Sequence, residues 1–563
     1  MPPDPSTAAP PRPPPSAALP AGISVDELRA SLLLRARARL SALPDADVAD
    51  LLSEAVFLER RRFADARGGL SPEDEDERRA VERASRAVHL SRREQEAALL
   101  ALVDDYVGQI HNRFSPRTYR FATTVLPGGL SRLLQAGELR GLVGGAHDPL
   151  QRIRIEGDLP RLQRLVRSHT LMLTPTHLSN LDSPLIGYAL YAAGLPPFIY
   201  GAGLNLFSNP LMAFFMSRLG AYTVDRRKRH QLYKDTLKDY STESVLRGRH
   251  SLFFPGGTRA RSGEVEQGVK KGLLGTGLIA WQEALRIERA GGPKARDVLV
   301  VPCTLTYAMV LEAETLIEDA LKESGQRRYI ISDDAFSEPR TIATFAQQIL
   351  ALDASVIVRF GDPVDLFGNP VDEAGRSLGH AGDPIDPRAY VCDAEGVVQE
   401  DPQRDRVYTA ALSRALVQAW SRDNTAMETH LAAFAAYRLL CLRTPRRSTW
   451  ERMFLSEEER TLPRSALLAA IGALRDRLDA LVSAGQLRAA LPEGPKRDTE
   501  TLSLALDRFG RFHREACLSA VGADGVRVAP KLALYYSNRL AHYGLQDVAL
   551  DVPAAPRPLV ESP

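Results

Sequence analysis

The chain has 563 residues, of which 44% are hydrophobic and 25% charged, the mixture of a globular protein and not of a disordered or fibrous one. Seventy-two Lys+Arg against 70 Asp+Glu leave a net charge of +2, too balanced for nucleic-acid binding through bulk charge, so no nucleic-acid partner is expected. At about 150 residues per domain the length predicts three or four folding units.

Residues 1–22 are expected to be a disordered lead. Pro2 to Pro20 is rich in Pro, Ala and Ser and lacks the apolar run of a signal peptide; a transit peptide is the weaker alternative, Arg12 being the sole basic residue there. Residues 23–145 read as a helical domain. Ser24 with Glu27 and Ser91 with Glu94 have capping-box spacing. Leu28, Leu32, Leu40, Val48, Leu52, Ala55 and Val56, then Leu99, Leu102, Val103, Tyr106 and Ile110, recur at helical intervals. The charged stretch Ser71 to Arg83 reads as a solvated linker or helix edge.

Residues 146–386 change character. Short apolar runs end at turn residues: Leu171–Leu173, Ser251–Phe254, Val298–Val301 and Ser355–Phe360. Alternating with helical patterns, they predict an α/β domain with a mostly parallel sheet covered by helices. Residues 387–563 return to helix, with Leu467, Ile471, Leu474, Leu478 and Leu481 in register and Gly485 past the end. No internal repeat is visible. Cys303, Cys392, Cys441 and Cys517 are scattered without a C-x-x-C pair, which argues against a zinc site or a disulfide framework and fits a reducing compartment.

From Ser183 to Ser217 there is no Asp, Glu, Lys or Arg. Gly194, Pro196, Pro197, Gly201, Gly203 and Pro210 interrupt the run, so it does not read as a membrane span. Two readings stay open: a shallow membrane-facing surface with Phe198, Tyr200, Phe207, Phe214 and Phe215 inserting, or a buried core.

Polar clusters follow the strand-like runs, where open α/β sheets carry their sites. After the first run come His177 and Asp182. Ser183 as N-cap and Pro184 as first helical residue predict that a helix begins there, leaving both in a loop. A loop can fold them together where a helix would turn them about 140° apart. A carboxylate on one imidazole nitrogen then leaves the other as a base. After the second run, Gly256, Gly257, Thr258, Arg259 and Arg261 offer backbone N–H groups, a hydroxyl and guanidinium forks, which suit a phosphate and equally make an ordinary solvated turn. Lys270 and Lys271 follow. The run Asp225-Arg226-Arg227-Lys228-Arg229 reads as a solvated face or an anionic-lipid contact.

H-x-x-x-x-D at His177–Asp182, G-A-Y-T-V-D-R at Gly220–Arg226, F-P-G-G-T-R-A-R-S-G at Phe254–Gly263 and V-V-P-C-T-L-T-Y at Val300–Tyr307 together resemble the four blocks of the glycerolipid acyltransferases. Val358 to Pro363 and Tyr535 to His542 extend the resemblance to the large bacterial and mitochondrial type of glycerol-3-phosphate acyltransferase, over roughly residues 105 to 550. The resemblance implies that His177 is the general base and Asp182 its orienting partner. It assigns Arg226, Gly257, Thr258, Arg259 and Lys270 to the substrate phosphate, and makes Pro302 the end of a strand lining the site or acyl channel. It implies acyl transfer from acyl-CoA or acyl carrier protein to glycerol 3-phosphate without metal or cofactor. Because an apolar donor must reach the site, the charge-free Ser183 to Ser217 segment and the nearby Arg226 to Arg229 cluster add the expectation of a membrane lipid surface, with the protein peripheral or monotopic at the cytoplasmic face. Acylation of dihydroxyacetone phosphate or lysophosphatidate, and a non-catalytic lipid-binding role, remain as alternatives. Two positions depart from the pattern. Gly256 stands where F-P-E-G-T-R has glutamate, and Asp225-Arg226 where Arg-Arg is more usual.

Overall fold

The computed structural model describes residues 24–65, 72–111, 153–204, 220–324, 356–510, 513 and 515–551; the Pro-rich lead and Phe207, Phe214 and Phe215 lie outside them. Helices α1 (Val25–Ala42), α2 (Asp45–Ala64), α3 (Pro72–Ser85) and α4 (Arg92–Ile110) come first. At the start of α4 half of the expected capping box forms, the Ser91 N–H donating to Glu94 at 3.0 Å, while the Ser91 side chain makes no cap hydrogen bond to the backbone. At α1, Ser24 is the N-cap, but its side chain makes no cap hydrogen bond. The charged stretch expected as linker or helix edge is the whole of α3. Its charges hold it as a helix, because Arg78 pairs with Glu75 and Glu82 one turn to either side, and Arg62 of α2 reaches Asp74 at 2.9 Å.

The central sheet has seven strands, β1 (Ile153–Glu156), β2 (Thr170–Pro175), β3 (Ile199–Gly203), β4 (Ala221–Val224), β5 (Ser251–Leu252), β6 (Val298–Tyr307) and β7 (Val356–Phe360), in the order β1-β7-β6-β2-β5-β3-β4. Of the neighbouring pairs, only β6 with β7 is antiparallel. Between strands lie α5 (Leu159–Ser168), α6 (Asp182–Ala192), α7 (Gln231–Leu246), α8 (Lys271–Arg289) and α9 (Ala313–Ser324). Every residue of β2 and β6 is buried, as central strands covered on both faces must be, which is why they read as unbroken apolar runs.

After β7 the chain forms a ribbon of repeated turns. In each, the N–H of a glycine with positive φ (Gly368, Gly375, Gly382) donates to the carbonyl three residues back, on Asp365, Asp372 and Gly379. This seven-residue repeat corrects the reading that no internal repeat exists. An aliphatic residue precedes each turn (Val364, Val371 and Leu378), and the Asp365 and Asp372 carboxylates each accept the N–H groups two and four residues on, so the period is written in side chains as well as in backbone conformation.

The region expected as a C-terminal helical domain contains α10 (Pro402–Asp423), α11 (Glu428–Arg443), α12 (Arg464–Ser483), α13 (Arg497–Phe509) and α14 (Pro530–Asn538), with short strands between some of them. Leu431, Ile471, Leu502 and Tyr535 from these helices share one apolar cluster with Leu173, Leu299 and Val358 of the sheet. The boundary at residue 386 therefore divides the sequence but not the core. Trp420 Nε1–H donates to the Thr174 carbonyl at 3.0 Å, tying α10 directly to β2.

The N-terminal helices pack on the other flank. Leu28, Leu52, Leu99 and Tyr106 bury against Tyr222 of β4 and Tyr233 and Tyr240 of α7, each such side chain contributing about 1.5–3 kcal/mol. A buried polar seam crosses this contact. Glu59 meets His230 at 3.1 Å, and Lys228 donates to Glu77 at 2.9 Å and Gln109 at 2.8 Å. The basic run after β4 is thus not one solvated face: Lys228 is 5% exposed and Arg227 is paired with Asp225 and Asp74. Carboxylates on α3 drew Lys228 inward and pair with Arg227 at the surface, where Arg226 and Arg229 are exposed too.

Stability should fall in two stages on acidification. Burial pushes the imidazoles of His250 and His430 down to about 3, so below about pH 6.5 the unfolded chain takes up protons that the folded one refuses, and stability declines toward pH 3. At Glu59 burial acts upward, but His230, Lys228 and Arg62 outweigh it and hold the carboxyl down to about 2. Its contribution is complete above its ordinary value of 4.5 and lost as the pH falls toward 2. Urea unfolding from pH 8 to 3 measures the first stage, and Glu59→Gln should flatten the second.

Candidate active site

β2 runs on through Thr176, whose N–H donates to Cys303 O at 3.0 Å and whose hydroxyl accepts from Leu305 N–H at 3.0 Å. The next residue, His177, is therefore delivered at the carboxyl end of the central strand. The loop after it closes on Asp182. His177 Nδ1 lies 2.7 Å from Asp182 Oδ2, the same oxygen accepting the N–H of Leu178 at 2.6 Å and of Ser179 at 3.0 Å. Oδ1 accepts the hydroxyl of Tyr307. Asp182 is the first residue of α6, two earlier than the first helical residue expected, Pro184 after an N-cap at Ser183. Its own carboxylate turns the loop back by capturing the two loop N–H groups, so a separate N-cap at Ser183 is not used.

The Asp182 side chain is 0% exposed and that of His177 15%. Phe254 stacks on the imidazole at 4.2 Å between ring centroids. Facing a carboxylate, Nδ1 carries the proton, and Nε2 is left with its lone pair. Burial and the neighbouring Asp182 charge hold the Tyr307 phenol well above its ordinary value, so it serves Asp182 as a donor.

The glycine loop folds over this pair. Ala260 N–H donates to His177 O at 2.7 Å, and Lys270 N–H to Pro255 O at 2.7 Å. Gly257 has φ 78°, and any Cβ there would collide with the Lys270 side chain, which places Lys270 directly against the loop. Thr258 is exposed at its tip. Arg259 lies with Nη1 3.7 Å from Glu312, which also accepts from Ser179 Oγ at 2.9 Å and Asn180 N–H at 3.0 Å. Glu312 thereby fastens the arginine to the His177 loop.

Gly257, Thr258, Arg259 and Lys270 thus gather with His177 and Asp182. Arg226 is set apart. It follows β4, three strands from β2 at the same end of the sheet, about 14 Å across at the usual spacing. Pro302 does not end a strand: it lies inside β6, which runs on to Tyr307. Its missing N–H is tolerated because the β7 ladder stops at Cys303↔Phe360 and resumes one residue out of register at Val300↔Val364. Within the described part of the charge-free segment, the buried-core reading holds. Phe198 is 4% exposed and stacks on His250, so it is no inserting group, and Tyr200 packs against the main core.

Sequence reasoning missed Tyr307, Glu312 and Glu266 as site residues, together with the C-terminal segment that closes over the loop. There, Asn538 donates to Ser262 O at 2.8 Å and Tyr535 and Arg539 are buried. Tyr307 ends a block already singled out, and Tyr535 to His542 formed part of the resemblance, so these signals were present without a role attached. A separate cleft of about 400 Å³ lies at the opposite end of the sheet, lined by His169, Trp281, Asp297 and Phe367. No three His, Cys, Asp or Glu among the described residues gather as metal ligands.

The hydrogen bond from His177 to Asp182 makes a spectroscopic prediction. At neutral pH, ¹⁵N spectra of histidine-labelled protein should show His177 protonated at Nδ1 and bare at Nε2. An Nε2–H form would overturn the assignment of Nε2 as the base.

Residues 152–306 match the family model described as Acyltransferase. Among curated proteins, the chain is 27% identical over 221 residues to a glycerol-3-phosphate acyltransferase of Pseudomonas fluorescens, covering 39% of this chain and 24% of that one. It is 30% identical over 176 residues to that of Haemophilus ducreyi, covering 30% and 20%. The corresponding figures for Glaesserella parasuis are 32% over 161 residues, covering 28% and 18%. The matched stretch thus spans less than a quarter of the length of these relatives. The solved 1-acyl-sn-glycerophosphate acyltransferase of Thermotoga maritima overlaps at 13% identity with a TM-score of 0.23, over 53% of this chain and 92% of that one, too slight a likeness to bear on the argument.

Proposed function

We propose, from the match of residues 152–306 to the family model described as Acyltransferase, that the protein transfers a fatty acyl group from a thioester, acyl-CoA or acyl carrier protein, to the primary hydroxyl of glycerol 3-phosphate. The observation that carries the proposal is the His177–Asp182 pair at the end of β2, at 2.7 Å, beneath a loop bearing Arg259 and Lys270. The names of the relatives support the same acceptor.

His177 Nε2 removes the proton of the acceptor hydroxyl as its oxygen attacks the thioester carbonyl. The C–O bond forms, the C–S bond breaks, and the proton returns from the imidazolium to the departing thiolate. Asp182 steadies the imidazolium between these transfers. Positioned base catalysis supplies about 10²–10⁴-fold, and holding donor and acceptor together supplies the rest. Arg259, Thr258 and Lys270 are the nearer ligands for the phosphate. Arg226, whose long side chain starts three strands away, reaches toward the same group from β4. As proposed, the step uses no metal and no cofactor.

Thiol release from palmitoyl-CoA should depend on glycerol 3-phosphate and fall by at least ~10²-fold in His177→Ala. Arg259→Ala should raise the acceptor KM by about 10-fold or more, the worth of one charge-assisted hydrogen bond, with a smaller change in kcat. Release without acceptor, near-normal turnover in His177→Ala, or a preference for dihydroxyacetone phosphate or lysophosphatidate would each overturn the reading.

The lipid product and donor favour peripheral attachment at the cytoplasmic face of a membrane. No helix among the described residues is long and apolar enough to cross one. Leu204, 38% exposed at the end of β3, together with exposed Arg226 and Arg229, suits a shallow contact with anionic lipid. In flotation with phosphatidylglycerol vesicles, most protein should stay bound in 1 M salt, where the Debye length is about 3 Å. Complete release would leave electrostatic docking alone.

A further inference from the structure

The backbone of His177 is held by a carboxylate from outside its own loop. Glu266, in the extended segment between Gly263 and Lys270, accepts the His177 N–H. Its second oxygen, Oε2, is buried and has no hydrogen-bond partner among the described residues. Burial pushes this carboxyl up, while the His177 N–H and the buried guanidinium of Arg539 act to keep it charged. The side chain lies over Gly256: a Cβ at that position would stand 3.2 Å from Glu266 Cγ and 3.6 Å from Oε1. Gly256 has no positive φ, so the conformation there does not itself call for glycine; the Glu266 side chain crowds a Cβ there and would have to give by a few tenths of an ångström to admit one. Ala260 N–H of the glycine loop donates to the His177 carbonyl, so both main-chain groups of His177 are fixed by the glycine loop and the segment that follows it.

We propose that Glu266 is a positioning residue of the site, holding His177 at the depth where its ring meets Asp182. It supplies from ten positions downstream the carboxylate that a side chain at position 256 would otherwise bring. Position 256 stays without a side chain because that volume is already filled. This inference rests on the acyl-transfer reading for its kinetic test, and the swap below separates the two.

Four variants are compared: Glu266→Ala, Glu266→Gln, Gly256→Glu, and Gly256→Glu with Glu266→Ala. Glu266→Ala should lower kcat about 10- to 100-fold, the scale of a small misplacement of a reacting group, with both KM values within about twofold. Glu266→Gln, whose amide oxygen still accepts the N–H, should keep most of the activity. Gly256→Glu alone should be impaired and thermally weakened by two carboxylates in one buried space. The double variant should regain at least tenfold over Glu266→Ala and recover the melting temperature lost in Gly256→Glu. A double variant no better than either parent overturns the proposal, as does full activity in Glu266→Ala. Recovered melting temperature without recovered kcat shows shared volume only and overturns the positioning role.

If the wild type transfers no acyl group, the functional reading fails by itself. Glu266 is then judged by the ¹⁵N signal of His177 in folded Glu266→Ala. A displaced Nδ1–H resonance sustains the proposal and an unmoved one overturns it.

Discussion

One buried carboxylate organises the end of the sheet where the chemistry gathers. Asp182 accepts from His177 Nδ1, the N–H groups of Leu178 and Ser179, and the Tyr307 hydroxyl. Those donors come from β2's loop and from β6, so the relative height of two central strands and the direction of one imidazole are set together. In a water-poor surrounding each such bond is stronger than in solvent, and the loss of any donor would leave a buried charge short of a partner. This is why a tyrosine held far from ionisation belongs at the position of Tyr307.

The same constraint spreads outward through carboxylates. Glu312 accepts from Ser179 and Asn180 and stands beside Arg259, and Glu266 holds the main chain of His177. The C-terminal segment then closes the layer, with Asn538 on Ser262 and Arg539 donating to Leu305 O at 2.9 Å. Residues more than 250 positions apart, such as Ser262 and Asn538, therefore define one surface. A shared core between sheet and C-terminal helices follows from this need: a base whose position must hold to a fraction of an ångström is best supported by packed elements on every side.

Much of this was legible in the sequence where the signal is local. The buried strands β2 and β6 announced themselves as apolar runs, and His177 and Asp182 as a polar pair in a strand-to-helix loop. Charge at Lys228 was not legible, because whether a lysine is solvated depends on Glu77 and Gln109, far away in the chain. Phe198 looked like a lipid-facing group only because its neighbours lack charge; tertiary packing against His250 decided otherwise. Pro302 read as a strand end because proline cannot donate, and the register shift that accommodates it belongs to a different strand, β7. The turn ribbon escaped notice because its seven-residue period is carried by single positions, the glycines Gly368, Gly375 and Gly382 and the aliphatic residues Val364, Val371 and Leu378, among otherwise unlike residues.

The division of positive charge follows from strand order. His177 at the end of β2 and an arginine after β4 are separated by β5 and β3, so they cannot touch the same atom of a small ligand. They can hold opposite ends of one that carries a hydroxyl and a phosphate a few bonds apart. Arg227 and Lys228 serve the carboxylates of α3, which fixes the turn from which Arg226 projects. The N-terminal helices thereby acquire a bearing on the site without contributing a group to it. They engage Arg227 and Lys228 in ion pairs as structure and leave Arg226 and Arg229 of that turn exposed.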